Sequence, residues 1–379
     1  MESVMNKLIA FRGTSVPLMN GFRGKICRRC FTEEAAYTLE KEKKIHPYRK
    51  IHPWKSKEGF AQSFVDNIIY NNDGLVAINK PYGISARPQN IVGKPIELTW
   101  KHKIANSVDY CVSDALPYIA RELDYSNLTI VKSPERYMSG IMLLAASPKV
   151  ETAVKNSFTY AVRSDQLYKT YWCVTTMISN QLEGKHHLAL KLEESRKLKR
   201  AFILEKWPET ERKKGNVKIL NVEFKVLSNS TLNLSSLLEI KSSTQKWHAI
   251  RLFAATKLYA PILGDNFHAP RIQNVMGKWL LIDPFAETTE TQPKLNPELL
   301  RLLHLTAAKQ EIIPVHIHMR SLYLPKYFGN HKHLTIEAPL MPPFDWTCET
   351  LMFQYLQQKK NVEYTPDKQP DLQSNAQSS

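Results

Sequence analysis

The chain has 379 residues, enough for one large domain or two of ordinary size, and its hydrophobic fraction of 43% suits a globular protein with a substantial core. It carries 52 lysines and arginines against 36 acidic residues, a formal net charge of +16 that favours polyanionic partners, above all nucleic acid. The alternative is a basic organelle protein whose charge serves solubility and targeting. No apolar run approaches the roughly 18 residues that span a bilayer, which excludes a transmembrane helix.

The first thirty residues contain six basic residues and one acid, Glu2, with hydrophobic residues interspersed. This composition is typical of a mitochondrial presequence and predicts a location in the mitochondrial matrix. The alternative is a basic disordered arm that binds RNA. We assign residues 1–60 to a presequence and a charged, proline-broken linker that is mostly disordered.

Between residues 61 and 330, strand-like and helical patterns alternate without a regular period. Strands are predicted at 74–80, 128–132, 140–145, 168–176, 222–227, 234–241 and 314–325, the last being the final strand. Helices are predicted at 114–123, from Pro148 behind the N-cap Ser147, at 247–258, and from Pro297 to about Leu305. This mixture predicts an α+β fold around a mostly antiparallel sheet. We assign residues 331–356 to a C-terminal extension and residues 357–379 to a disordered tail.

The most highly charged interior stretch is residues 191–218, with ten lysines and arginines, five glutamates and Trp207. We interpret it as a flexible basic insertion that would hold an RNA backbone and stack a base. The alternative is a solvated loop.

One pair of cysteines and one pair of histidines are candidate metal ligands. Cys27 and Cys30 form a CxxC without a clear second ligand pair, and five widely spaced cysteines in all favour a reducing compartment over a disulfide framework. His316 and His318 lie on one face of a strand without a third ligand. We therefore predict packing rather than metal binding for both histidines, and no metal.

Four segments in the chain match the motifs of one family in order and spacing. They are DGLVAINKPYGISA (73–86), KSPERYMSGIMLLA (132–145), YKTYWCVT (168–175) and STQKWHAIRLFAATKLYAPILGDNFH (243–268). Together they resemble the RluA-type RNA pseudouridine synthases over roughly residues 65–325, and PVHIHMRSLYLP (314–325) resembles the closing strand of a mitochondrial branch of that family. The resemblance implies the pseudouridine synthase fold, a mixed, mostly antiparallel sheet flanked by helices with a central cleft, over residues 61–330.

The resemblance also implies an activity. A pseudouridine synthase is an isomerase, an intramolecular transferase, that converts uridine in RNA to its C-glycoside isomer without a metal, nucleotide or redox cofactor. The expected substrate is mitochondrial mRNA or rRNA, and the expected role is to support mitochondrial ribosome assembly and translation. Further partners implied are ribosome assembly factors or other pseudouridine synthases, and no membrane.

Site residues follow from the aligned motifs. Glu135 lies where the family has its catalytic aspartate, Arg251 where it has the arginine that pairs with that carboxylate, and Tyr171 where it has the tyrosine that packs on the target base. RNA contacts are assigned to four residues: Arg136, Lys80, Lys246 and His248. Lys80 is also assigned to the scaffold of its turn, as are Gly83, Gly264 and Asp265.

The catalytic motif departs from the family pattern at several positions. Glutamate replaces aspartate at 135, and the residues before it are Lys132, Ser133 and Pro134. One extra methylene moves the carboxylate by about 1 Å, and a misplacement of that size can cost about 10²-fold in rate. The alternative to an enzyme is therefore a catalytically impaired RNA-binding pseudoenzyme that acts in mitochondrial ribosome assembly or mRNA handling. A third possibility is an interaction subunit that supports another synthase.

Overall fold

The structure, a computed structural model, describes residues 45–88, 110–195, 198–286, 289 and 292–354. Its strands, numbered in chain order, are β1 (Ile68–Asn72), β2 (Leu75–Lys80), β3 (Thr129–Lys132), β4 (Ser139–Ala145), β5 (Lys169–Val174), β6 (Glu183–Ser195), β7 (Leu198–Leu204), β8 (Val217–Asn229), β9 (Ser236–Ser242), β10 (Ile272–Val275), β11 (Lys278–Leu281), β12 (Ile317–Leu324) and β13 (Leu334–Glu337). Its α-helices are α1 (Lys57–Val65), α2 (Val112–Glu122), α3 (Pro148–Arg163), α4 (Glu209–Lys213), α5 (Ala249–Thr256), α6 (Pro297–Leu302) and α7 (Phe344–Thr350).

One large sheet organises the described residues from His46 onward. Its strand order is β1-β2-β4-β12-β5-β9-β8-β6-β7, with β3 paired to β4 and β13 paired to β12, which makes eleven strands among the residues described. Every pairing is antiparallel except that of β4 with β12, where Ser139 lies opposite His318. The predicted α+β class with a mostly antiparallel sheet is confirmed. Strands β10 and β11 form a separate hairpin.

The central strand β4 is buried along its whole length, because its sequence SGIMLLA offers apolar side chains to both faces of the sheet. Its second residue, Gly140, has a φ of +111°. A Cβ at this position would lie 2.3 Å from the Met319 carbonyl oxygen of β12, so only glycine allows the parallel pairing at this point. The predicted strand at 140–145 is therefore present, and it lies in the middle of the sheet.

Helix α3 follows β4 and begins where the sequence predicts. The Ser147 hydroxyl accepts a hydrogen bond from the Val150 amide at 3.4 Å, and Pro148 occupies the first turn, where no amide donor is needed. Val154 and Ala161 are buried in the main core cluster, which fixes this helix against the sheet.

Both predicted boundaries of the domain need correction. Residues 46–60 are packed rather than disordered: Tyr48 is fully buried, and its hydroxyl shares a 2.8 Å hydrogen bond with the Thr347 hydroxyl of α7. The predicted C-terminal extension is also part of the fold, since β13 pairs with β12 and Phe344 and Leu351 join the same core cluster as Tyr48. The strand at 314–325 is therefore not the final one. The predicted presequence before residue 45 and the predicted tail at 357–379 lie outside the described residues.

The described residues of the segment at 191–218, which exclude 196 and 197, lie mostly in two strands and a helix, and this corrects the interpretation as a flexible insertion. Strands β6 and β7 form a hairpin with Lys191 opposite Phe202, and α4 leads into β8. Trp207 is half-buried, with its ring 5.3 Å from the ring of His187. None of the helices that the structure describes has the length and apolar character needed to cross a membrane.

Candidate active site

Glu135 lies in the loop between β3 and β4, in the position that the motif predicts. The Met138 amide donates a 2.9 Å hydrogen bond to the Glu135 carbonyl, which closes a turn over residues 135–138. Pro134, Tyr137 and Met138 are buried, whereas the Glu135 side chain is exposed. The buried neighbours anchor the loop, so that the carboxylate projects from a fixed backbone.

A buried lysine ties this loop to the turn after β2. The Lys80 ammonium donates hydrogen bonds to the carbonyls of Met138 at 2.8 Å, Pro81 at 2.9 Å and Ile84 at 3.1 Å. Its side chain is fully buried, and burial lowers the pKa of Lys80 to about 7, although the negative charge of Glu135 acts in the opposite direction. The predicted scaffold role agrees with these contacts. The predicted RNA contact is wrong for this conformation, because no part of the side chain reaches the surface.

Two further hydrogen bonds, one between backbone atoms and one from a side chain, join the same two turns. The Gly83 amide donates to the Arg136 carbonyl at 2.8 Å, and the Arg136 Nε donates to the Gly83 carbonyl at 3.1 Å. Arg136 is half-buried, so its guanidinium borders the exposed Glu135 loop. Its assignment as an RNA contact stays a prediction.

Arg251, in the first turn of α5, has a different partner from the predicted one. Its guanidinium forms an ion pair with Asp265, and both side chains are buried. Burial opposes ionisation of Asp265, but the charge of Arg251 and the hydrogen bonds that Asp265 accepts together outweigh burial and hold the pKa of this carboxyl below its usual value. The predicted Arg251–Glu135 pair is therefore absent from the structure, and the carboxylate that binds Arg251 comes from a residue assigned only to the scaffold.

The turn that carries Asp265 is built to present this carboxylate. Its Oδ1 also accepts hydrogen bonds from the amides of Phe267 at 2.9 Å and His268 at 3.0 Å. The preceding Gly264 has a φ of +82°, and a Cβ there would lie 2.1 Å from the Pro314 carbonyl oxygen. The scaffold role predicted for Gly264 thus has a steric basis.

Tyr137 connects the Glu135 loop to Arg251, and the sequence reasoning did not single it out. The Arg251 guanidinium carbon lies 4.6 Å from the centroid of the Tyr137 ring, in cation–π geometry. The Tyr137 hydroxyl shares a 2.8 Å hydrogen bond with Nδ1 of His248. Burial raises the pKa of the Tyr137 phenol, and the nearby charges of Glu135 and Asp265 raise it further, so the phenol is neutral at physiological pH. No role was assigned to it from the sequence, because its contacts with Arg251 and His248 join segments that are distant in the chain.

Tyr171 lies below this layer, in β5. Its ring is fully buried, and its hydroxyl donates a 2.9 Å hydrogen bond to Gln245 Oε1. The charge of Glu135 contributes to the raised pKa of this phenol, after burial and the neighbouring tyrosines, which places Tyr171 within the electrostatic reach of the candidate catalytic residue. The predicted stacking on a target base is not available in this conformation, since the ring has no exposed surface.

Lysines surround the exposed carboxylate. The charge of Glu135 raises the pKa of Lys132, although burial and the neighbouring Lys246 lower it overall. Lys246 is exposed, and His248 on the same turn is half-buried against Tyr137. The two RNA contacts predicted on this turn thus have different surroundings: Lys246 is open to solvent, whereas His248 is held by the buried tyrosine.

The two histidines of the HIH sequence have protein partners. His316 Nε2 shares a 2.7 Å hydrogen bond with the Thr347 hydroxyl, and His318 Nδ1 shares a 2.9 Å hydrogen bond with the Ser139 hydroxyl. Within the described residues, no group of three or more histidine, cysteine, aspartate or glutamate side chains is arranged to hold a metal ion. Cys27 and Cys30 lie outside the described residues.

Comparison with known proteins assigns this fold and site to a class. A family model described as RNA pseudouridylate synthase matches residues 74–256, which include the Glu135 loop, Tyr171 and Arg251. The chain is 27% identical over 303 residues to the mitochondrial mRNA pseudouridine synthase RPUSD3 of Homo sapiens, covering 78% of this chain and 79% of that protein. It is 25% identical over 297 residues to the pseudouridylate synthase RPUSD4, mitochondrial, of Homo sapiens, covering 74% and 67%.

A solved structure, human RNA pseudouridylate synthase domain containing 4, matches with a TM-score of 0.55 and 21% identity, over 78% of this chain and 96% of that chain. The chain is similar to the RNA pseudouridylate synthase family, as its four motifs predict. The solved structure supports the same fold.

Proposed function

We propose that this chain is an RNA pseudouridine synthase that isomerises uridine in mitochondrial RNA, with Glu135 as the catalytic carboxylate. The observation that carries the proposal is the placement of Glu135: an exposed acid on an anchored loop, above the Tyr137–Arg251–Asp265 cluster and beside Lys132. Similarity to the family supports the isomerase class, and the names of the two human relatives support RNA as substrate and the mitochondrion as location.

The reaction needs a single carboxylate and a site whose shape fits the uridine closely. The C1′–N1 bond of uridine breaks, the uracil rotates, a C1′–C5 bond forms, and the proton of C5 is lost while N1 gains one. The uridine must first leave the base stack, because the ribose cannot be approached inside a helix. Glu135 would work next to the ribose, and its charge acts on the ammonium groups of Lys80 and Lys132, which lie near it.

Arg251 has a positioning role in this proposal rather than a direct one. Its ion pair with Asp265 and its contact with the Tyr137 ring hold the floor below the Glu135 loop. Because Asp265 neutralises the charge of Arg251, the guanidinium can support the loop without forming a competing ion pair with Glu135. The net charge of +16 would attract an RNA strand to this surface. The proposed location, where the protein would bind this RNA, is the mitochondrial matrix.

The test compares the full chain with Glu135→Ala, Glu135→Asp and, as the matched control, Glu183→Ala at an exposed glutamate that begins β6. Each protein is incubated with mitochondrial RNA, and pseudouridine is mapped chemically. Glu135→Ala should abolish conversion. Glu135→Asp should lower it by about 10²-fold, because it withdraws the carboxylate by about 1 Å from a site that is adapted to glutamate. Conversion by Glu135→Ala at the wild-type rate contradicts the assignment.

One observation favours a second candidate, an RNA-binding pseudoenzyme that acts in mitochondrial ribosome assembly or mRNA handling. The Arg251 guanidinium is committed to Asp265, and Glu135 is exposed to solvent. The candidates separate in cells that lack the protein: the pseudoenzyme predicts that Glu135→Ala restores mitochondrial translation as well as wild type does. Failure of a folded, abundant Glu135→Ala protein to do so supports the enzyme.

A further inference from the structure

Two consecutive residues at the rim of the candidate active site have strained backbones. Trp247 has a φ of 53° and ψ of 34°, and His248 has a φ of 57° and ψ of 36°. Side chains with a Cβ rarely adopt this left-handed region, and such strain is concentrated at functional sites. The turn directs His248 towards the Tyr137 hydroxyl and leaves the Trp247 ring half-buried at the edge of the core.

The Trp247 ring lies beside two lysines from different parts of the chain. The Lys218 ammonium, at the start of β8, is 5.2 Å from the centroid of the indole ring. The charge of Lys246 is the main cause of the lowered pKa of Lys218, which indicates that the two ammonium groups lie close together. Like charges at short range repel each other, and an anion between them would remove that repulsion.

These residues continue a row of lysines that leads to Glu135. The charge of Lys246 lowers the pKa of Lys132, after the larger effect of burial, and the charge of Lys132 acts in the same way on Lys169. Lys132 ends β3 and Lys169 begins β5, so the row is assembled by the sheet from segments distant in sequence.

A nucleotide in single-stranded RNA has the chemistry that this arrangement fits. Its phosphate matches a pair of ammonium groups, and its base has a face that stacks on an indole ring. A base inside a duplex is already stacked on both sides, so the indole would add nothing to the binding of a duplex. The arrangement therefore selects for an unpaired nucleotide.

We propose that Trp247, Lys218 and Lys246 form a nucleotide subsite, which holds an unpaired RNA residue next to the uridine at Glu135. The indole ring stacks on the base, and the two ammonium groups bind its phosphate. The subsite rests on the proposed function for its RNA substrate. It adds a structural requirement to that substrate: the target uridine lies in a single-stranded context.

The experiment measures the affinity of the full chain for a fluorophore-labelled short oligouridine, and for the same strand annealed to oligoadenosine, by fluorescence anisotropy at several salt concentrations. Trp247→Ala should raise the Kd for the single strand roughly 5- to 100-fold and leave the duplex Kd unchanged. Trp247→Phe should retain most of the affinity. Lys218→Ala should reduce the slope of log Kd against log salt by about 0.7, the value of one phosphate contact in a single strand.

Matched controls are Trp279→Ala, which removes an exposed tryptophan of the β10–β11 hairpin, and Lys214→Ala, which removes an exposed lysine near β8. Both should bind oligouridine like wild type. Equal loss of single-strand and duplex affinity in Trp247→Ala, or wild-type affinity in that variant, overturns the subsite. If Trp247→Ala fails to fold, Lys218→Ala decides, and an unchanged salt slope overturns the proposal.

Binding does not depend on turnover, so the two proposals fail separately. Specific oligouridine binding without any pseudouridine formation contradicts the proposed function and leaves the subsite intact. Wild-type protein without affinity for oligouridine overturns the subsite, even if the protein modifies a structured RNA.

Discussion

The Lys80→Met substitution tests whether burial or hydrogen bonding decides the protonation state of the lysine beneath the Glu135 loop. Burial lowers the pKa of Lys80 from 10.5 to about 7, which corresponds to about 5 kcal/mol of disfavoured charge. The unfolded chain keeps its proton up to pH 10.5, whereas the folded chain releases it above about 7. Between these values the unfolded state binds more protons, so the wild type gains stability as pH rises. Methionine does not titrate and lacks this gain.

The free energy of unfolding is measured by urea denaturation of both proteins from pH 6 to pH 9. The difference in stability, wild type minus Lys80→Met, should widen by about 1.4 kcal/mol per pH unit above pH 7, or about 3 kcal/mol by pH 9. Lys155→Met, at an exposed lysine of α3, should show no such trend. A constant difference from pH 6 to pH 9 would refute the reasoning, because it would mean that the three carbonyls hold the ammonium form against burial.

Two further substitutions test the support of the site. Asp265→Asn leaves the buried charge of Arg251 without a counterion and should cost about 3 to 5 kcal/mol in the free energy of unfolding, measured by urea denaturation. Gly140→Ala places a methyl group 2.3 Å from the Met319 carbonyl oxygen and should prevent soluble, folded expression, whereas Gly277→Ala, with a similar positive φ and open space around it, should cost only about 1 to 2 kcal/mol.

The ion-pair substitution has a control on the surface. Glu298→Gln breaks the exposed pair with Arg301 in α6, where solvent screens the charges, and should change the stability by less than about 1 kcal/mol. A cost for Asp265→Asn no larger than that of Glu298→Gln would show that Arg251 does not depend on its buried partner. Soluble Gly140→Ala with an unchanged melting temperature would contradict the steric account of the β4–β12 pairing.

The sequence was most informative about the central strands. β2 and β4 are buried along their whole length, and such strands appear in the sequence as continuous apolar runs next to turn residues. The Ser147 cap and Pro148 likewise give a local signal for the start of α3. These features could be predicted because each is decided by residues that are neighbours in the chain.

Features that depend on distant residues could not be predicted in this way. Tyr48 stands in a charged, proline-broken stretch, and its core position depends on residues far along the chain, such as Thr347, 299 residues away, and Trp346. The partner of Arg251 was wrongly predicted because two acids, Glu135 and Asp265, were available, and their order in the chain does not show which one lies within reach. Tyr137 was missed since its importance comes from what packs on either side of it.

The position of β12 has a consequence for the order in which the molecule folds. This strand lies between β4 and β5, and it joins Ser139 to His318 across 179 residues. Strands β1 to β4 can pair with one another early, but β4 and β5 lack their shared neighbour β12 until nearly the whole chain is available. Contacts of such long range form slowly. A chain still emerging from a ribosome or a translocation pore would have its Glu135 motif but no assembled site. The protein therefore has no assembled candidate active site until its last strands have folded.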